Sequence, residues 1–217
     1  MPTIFRMTNS AQAERRELAD LLDRLGPDAP TLCTGWTTAD LVAHLVVREG
    51  DLLAAAGIMI GPLSHHTRSA MQGLIERIGY QGLVDRFRNG PPRLSPFRLD
   101  PLDAAANTME FFVHHEDVRR AQPDWEPREL PDEFERLLWG RVTGPGRLMF
   151  RRCAVGLLVA RPDGATVRVR KGEPTAVLSG KPSELVLYMT GRKSVAQVEI
   201  TGAEKAIEAV TQAPFGI

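Results

Sequence analysis

Apolar residues recur at helical spacing along the first two thirds of the chain, and glycine or proline interrupts the pattern between segments. No strand signal occurs in this part, so we expect a four-helix bundle over residues 1–125. The pattern predicts helices from Ser10 or Asn9 to Leu25, from Thr37 or Thr38 to Gly61-Pro62, over Thr67–Ile78 and Gln81–Arg88 as two shorter pieces, and from Pro101 to Ala121 with Asp100 as its cap.

The pattern changes after a proline-punctuated stretch. Residues 126–146 are predicted to form a linker and a connecting helix, Pro131–Arg147. Residues 165–170 then alternate valine with arginine, which is strand periodicity. The following segments are predicted as strand, helix, strand and helix, at Ala176–Leu178, Ser183–Thr190, Val195–Ile200 and Ala203–Val210. The chain is therefore predicted to be α+β, with a small α+β domain over residues 147–217 after the bundle.

Charge and cysteine content exclude several classes of protein. The chain has 27 basic and 27 acidic residues, which argues against a protein whose main partner is nucleic acid. The balance is uneven, because residues 141–217 have 12 basic and 6 acidic groups and could still attract an anion. Two cysteines exclude a disulfide scaffold and a four-thiolate zinc site. Neither a secretory signal nor a membrane-length apolar run is visible, so a cytoplasmic location is expected.

One helix of the predicted bundle carries a carboxylate and an imidazole one turn apart. At about 100° per residue, Glu110 and His114 lie about 40° apart at the edge of the apolar stripe, whereas His115 points elsewhere. His44 lies on the inner side of the second helix and is the best third partner. Two histidines and one carboxylate suit a catalytic zinc site or non-haem Fe(II). The alternative is a core histidine beside a hydrogen-bonded helical pair.

The remaining histidines and cysteines favour structural interpretations. His65 and His66 precede a helical segment and are expected in a solvated loop, and His115 is expected at the surface or behind the ligands. Cys33 is a redox thiol, a fourth ligand or, more simply, a small buried residue. Cys153 is expected in the core.

Other side chains near these motifs also have structural interpretations. Trp36 is predicted to anchor the beginning of the second helix. Asp117, Arg119 and Arg120 are predicted to form surface ion pairs.

Two motifs carry a family resemblance. Cys33–Leu45 resembles the W-[ST]-x-x-D-L-x-x-H-L signature of the mycothiol-dependent maleylpyruvate isomerase family, which belongs to the DinB-like four-helix metalloproteins. Glu110–Asp117 resembles its second signature, E-x-x-x-H-x-x-D. The chain is similar in particular to an actinobacterial branch of metal-binding proteins. The resemblance implies that His44, Glu110 and His114 are the metal ligands.

The C-terminal part is similar to the same family more loosely. Leu178–Leu185 followed by Gly191-Arg192 resembles the pattern L-x-G-x-x-x-E-L…G-R. The resemblance implies a sterol-carrier-like α+β domain, and a catalytic role for Arg192 in holding the carboxylate of a substrate.

The function implied by the resemblance is that of a mycothiol-dependent metalloenzyme. A divalent metal ion, Zn²⁺ by preference, would activate the thiolate of mycothiol against a small electrophile, in an isomerisation or a thiol transfer. The expected partners are therefore a small-molecule thiol and an electrophilic substrate, with no nucleic acid and no membrane, and the chain would be a monomer or homodimer. The alternative is a non-catalytic metal- or ligand-sensing regulatory module.

Overall fold

The computed structural model describes residues 10–50, 64–92, 95 and 100–216. The chain forms two compact units, Met1–Glu126 and Pro127–Ile217. The described part of the first unit is helical, and the second contains a four-stranded sheet with helices. The predicted α+β class is therefore confirmed.

Four helices make up the described part of the first unit. They are α1 (Ser10–Leu25), α2 (Thr38–Gly50), α3 (Ser64–Arg88) and α4 (Asp100–Arg119). The two shorter pieces predicted around Gly79 meet there in α3, because Gly79 has a non-helical backbone with φ 65° and ψ 176°. Only glycine adopts such a conformation readily, so the helix axis breaks at this residue. The predicted end of the second helix at Gly61-Pro62 lies outside the described residues.

The core of the first unit is built from the apolar stripes of these helices. α1 packs mainly against α4, and α2 packs mainly against α3. Each helix contributes fully buried side chains to one cluster, including Leu18 and Leu22 of α1, Leu41 and Leu45 of α2, Leu83 and Phe87 of α3, and Phe111 of α4. Burying a side chain of this size stabilises a fold by about 1.5–3 kcal/mol. The stripes that hold α2 and α4 in place also fix the polar residues between them.

The second unit begins with helices and ends with the sheet and its covering helices. Its elements are α5 (Asp132–Thr143), a 3-10 helix (Pro145–Arg152), β1 (Gly156–Ala160), β2 (Thr166–Arg170), β3 (Thr175–Ser179), α6 (Pro182–Met189), β4 (Glu199–Gly202) and α7 (Glu204–Gln212). The strand order is β2-β1-β3-β4. β1 pairs antiparallel with β2 and parallel with β3, and β3 pairs antiparallel with β4. No helix in the described ranges is long and apolar enough to cross a membrane.

Two predicted boundaries in this unit are wrong. The predicted strand Val195–Ile200 begins only at Glu199, because Val195 and Ala196 donate their backbone N–H groups to the carbonyl of Arg192 in a local turn. The predicted connecting helix Pro131–Arg147 ends at Thr143, and Pro145 begins a separate 3-10 helix. Proline lacks an N–H group and cannot continue the α-helical hydrogen-bond ladder.

Candidate metal centre

Helices α2 and α4 bring together the three residues that the sequence predicts as metal ligands. His44 lies in a run of α2 that is buried from Leu41 to Val47. Glu110 and His114 lie one turn apart on α4. Glu110 Oε1 is 3.4 Å from His44 Nε2 and 3.3 Å from His114 Nε2. One ligand atom of each residue lies within 4.8 Å of the others.

The spacing of these atoms fits a shared cation better than a direct hydrogen bond. A zinc ion bound tetrahedrally at 2.0–2.1 Å places its ligand atoms about 3.3–3.4 Å apart. The two carboxylate–imidazole distances, 3.3 and 3.4 Å, match this distance between ligand atoms. An N–H···O hydrogen bond is shorter, about 2.9–3.0 Å. Two imidazole nitrogens and one carboxylate oxygen are also a donor set that zinc accepts. The residues therefore fit the ion, while metal binding itself stays a prediction.

A buried carboxylate holds the second histidine from behind. Asp117 is fully buried, and its Oδ2 accepts a hydrogen bond from His114 Nδ1 at 2.9 Å. When the imidazole is neutral, this bond puts its proton on Nδ1 and directs the lone pair of Nε2 at Glu110, which is the arrangement typical of histidines that bind metal. The prediction that Asp117 forms a surface ion pair is wrong. Its position three residues after His114 places both on one face of α4, and this spacing could have revealed the pair.

Cys33 also contacts Asp117 and His114. Its Sγ–H donates to Asp117 Oδ2 at 3.2 Å, and Sγ lies 3.9 Å from His114 Nδ1. The thiol thus contacts the Nδ1 side of the imidazole, while Nε2 faces Glu110. The turn that carries Cys33 is fixed to α4 by a backbone hydrogen bond from Leu32 N to Asp117 O. Cys33 is therefore a second hydrogen-bond donor to Asp117 Oδ2, beside His114.

Burial and hydrogen bonds set the protonation of the three candidate ligands. Burial lowers the pKa of His44 below its ordinary value. Burial alone would raise the pKa of Glu110, but the facing imidazoles of His114 and His44 outweigh it and hold the pKa well below the ordinary value. Burial alone would lower the pKa of His114, but the bonds to Asp117, Cys33 and Glu110 raise it well above the ordinary value. The carboxylate of Glu110 is therefore ionised at neutral pH.

A cavity of about 650 Å³ adjoins His44. Its described wall comes from the beginning of α2, the turn before it and the first half of α3: Gly35, Trp36, Asp40, His44, Thr67, Arg68, Met71, Gln72, Ile75 and Glu76. The ring of Trp36 lies 5.1 Å from that of His44, so the predicted helix anchor also forms part of this wall. A quarter of the Glu110 side chain is exposed. Of the three candidate ligands, His44 lines this cavity, and a catalytic metal site requires such an approach for a small molecule.

His115 is buried, so of its two predicted positions, at the surface and behind the ligands, the surface position is wrong. Its Nδ1 is 2.9 Å from Glu14 Oε2. The exposed carboxylate of Glu17 lies close enough to make a further histidine–glutamate group. The 2.9 Å contact is an ordinary hydrogen-bond length. The contact therefore pairs two buried polar side chains.

The remaining candidate residues belong to other elements of the chain. His65 is exposed at the beginning of α3, within the helix rather than in a loop, and the side chain of His66 lies outside the described residues. Cys153 is buried in the second unit, as predicted. Arg192 is half-buried in the second unit, where its Nη1 donates to Thr190 O at 2.7 Å. Its proposed contact with a substrate carboxylate stays a prediction.

Comparison with known proteins agrees with the resemblance seen in the motifs. Residues 11–73 match the family model described as mycothiol maleylpyruvate isomerase N-terminal domain, a range that includes His44. The fold is similar to a crystal structure of a mycothiol-dependent maleylpyruvate isomerase, with 18% identity, a TM-score of 0.54 and 93% of each chain covered. It is similar to a mutant of such an enzyme with 17% identity, a TM-score of 0.53 and the same coverage. No curated protein matches the chain. These matches confirm the predicted family resemblance.

Proposed function

We propose that this protein is a mycothiol-dependent metalloenzyme, an isomerase or thiol transferase that acts on a small electrophile. The observation that carries the proposal is the meeting of His44, Glu110 and His114 beside a cavity. Two of the three distances between their ligand atoms, 3.3 and 3.4 Å from Glu110 Oε1 to the two imidazoles, match those of a tetrahedral site. The family match over residues 11–73 and the similar fold of the isomerase support the choice of thiol and reaction.

In this proposal each side chain has a defined task at one atom. His44 Nε2, His114 Nε2 and Glu110 Oε1 would hold one zinc ion, and Asp117 would keep the proton of His114 on Nδ1. A bound zinc ion lowers the pKa of a coordinated thiol enough to deprotonate it at neutral pH. The three protein ligands leave a fourth position for that thiol.

The cavity would bind the electrophile. Its apolar wall includes Trp36, Met71 and Ile75. The substrate would pack against this wall and displace water from it. Addition of the thiolate to a C=C bond, rotation about the resulting single bond and loss of the same thiolate would isomerise the bond. Retention of the thiol, with a proton from water added to the neighbouring carbon, would be a transfer. Arg192 is proposed to hold the carboxylate of the substrate.

The metal site is tested by elemental analysis of protein purified without a histidine tag. We expect one zinc ion per chain, and loss of zinc in His44→Ala and in Glu110→Ala. His65→Ala is the matched control, because it removes an exposed histidine of the same unit and should retain zinc. Full occupancy in both ligand variants would contradict the proposed site.

The reaction is tested with the zinc-loaded protein. Mycothiol is incubated with maleylpyruvate and with a panel of small electrophiles, while isomerisation and loss of free thiol are followed. We expect turnover that disappears in Glu110→Ala. Zinc binding without any change of thiol or substrate would contradict the enzyme and support the metal- or ligand-sensing module instead.

A further inference from the structure

The guanidinium of Arg48 lies against the candidate centre, one helical turn after His44. Its Nε is 3.3 Å from Glu110 Oε1, the oxygen that both imidazoles face. Its Nη1 donates a hydrogen bond to Asn107 Oδ1. Asn107 is fully buried, and only 17% of the Arg48 side chain is exposed. The positive charge of Arg48 is therefore held at a fixed place beside the ligands.

A buried ion pair between Arg15 and Glu49 fixes the position of Asn107, the partner of Arg48. Asn107 Nδ2 donates a hydrogen bond to Glu49 Oε1 at 3.2 Å. Both terminal nitrogens of Arg15 contact the same carboxylate, and Nη1 lies 2.6 Å from Oε2. The guanidinium of Arg15 lies over the ring of Phe111, 4.6 Å from its centre. Within the described part of this network the charges of Arg15 and Glu49 offset each other, and Arg48 is the cation that contacts Glu110.

The charge balance of the centre depends on that arginine. Among the described residues, the carboxylates of Glu110 and Asp117 would offset the two charges of a divalent cation, and the guanidinium of Arg48 adds a positive charge 3.3 Å from Glu110 Oε1. Asp40, in the cavity wall, accepts hydrogen bonds from the backbone and hydroxyl of Thr37 at the beginning of α2, where the helix dipole offsets its charge. A positive, partly buried centre attracts an anion more strongly than a neutral centre does.

We propose that Arg48 makes the open coordination position selective for anionic ligands over neutral ones, and a thiolate is one such ligand. This inference rests on the proposed metal site. It assigns a selectivity role to a side chain that touches a ligand of the metal without binding the metal itself. The contacts with Asn107 and Glu49 give Arg48 the fixed position that such a role requires.

The test uses the full chain loaded with Co²⁺, whose visible absorption reports each molecule that enters the centre. Azide is the anionic probe and imidazole the neutral one. We expect Arg48→Met and Arg48→Gln to weaken azide binding about tenfold relative to imidazole binding, because both remove the charge. Arg48→Lys keeps the charge and should hold the ratio of the two affinities within about threefold of the wild-type value. Arg16→Met removes an exposed arginine of α1 and should leave the ratio unchanged.

Three results from the Arg48 variants would overturn the proposal. The first is an unchanged affinity ratio in the neutral variants, and the second is an equal loss in Arg48→Lys. The third is failure of both neutral variants to hold Co²⁺, because Arg48 would then be needed to form the centre at all. The proposed function fails separately: wild-type protein that binds azide but neither 2-mercaptoethanol nor mycothiol would contradict the thiol chemistry and leave the role of Arg48 intact. Wild-type protein that binds no Co²⁺ would overturn both.

Discussion

The hydrogen bond between Asp117 and His114 makes a quantitative prediction for metal affinity. The carboxylate is fully buried and accepts from Nδ1 at 2.9 Å. A hydrogen bond to a charged group contributes about 1.5–3 kcal/mol. Asp117→Asn removes the charge but nearly keeps the volume, so we expect zinc affinity to fall about 10- to 100-fold. Competition with a zinc chelator of known affinity, at one pH, measures this change.

A second variant separates the orientation of His114 from general damage around Asp117. Cys33→Ala removes the thiol that also donates to Oδ2, at 3.2 Å, and leaves the His114 bond in place. A thiol is a weak donor, so we expect zinc affinity within about threefold of wild type. Wild-type affinity in Asp117→Asn, or an equal loss in both variants, would refute the assignment of Asp117 as the residue that positions His114.

Three further predictions concern stability, pH and substrate binding. Glu49→Ala should lower the free energy of unfolding by about 3–5 kcal/mol, because Arg15 stays buried without its partner; urea unfolding measures this, and a loss under about 1 kcal/mol would speak against it. Burial raises the pKa of Tyr80 from 10.0 to about 12, so the folded protein holds more protons in that range and stability should fall as pH rises through it. Over the same pH range, the urea midpoint of Tyr80→Phe should fall less than that of wild type. Midpoints that fall equally in the two proteins would contradict the prediction. Arg192→Ala should raise KM for maleylpyruvate about tenfold with little change in kcat, and an unchanged KM would remove Arg192 from substrate binding.

The candidate ligand set can be predicted from the sequence because most of its pattern is local. Glu110 and His114 are four residues apart on one helix, and helical geometry alone places them on one face. His44 lies between apolar residues of α2, so its inward position follows from the same periodicity. The break at Gly79 was also predictable, because a glycine lies between two helical segments there.

The surroundings of the ligands depend on contacts between distant parts of the chain. Cys33 and Asp117 are 84 residues apart, and Arg15 and Glu49 are 34 apart. Helical periodicity identifies a buried face but not its partner on another helix. The sequence predicts Asp117 at the surface because a charged residue is usually exposed. In the structure it lies in the interior, where it accepts hydrogen bonds from His114 and Cys33.

The central claim is that one metal ion lies between α2 and α4, and anomalous diffraction at the zinc edge tests it most directly. A crystal of untagged protein should show one peak bound by His44 Nε2, Glu110 Oε1 and His114 Nε2, with a fourth position open. Two other groups of the described residues could attract a cation: Cys33, Asp117 and His114 Nδ1, or Glu14, Glu17 and His115. A peak at either of those groups, with none between His44 and Glu110, would contradict the account.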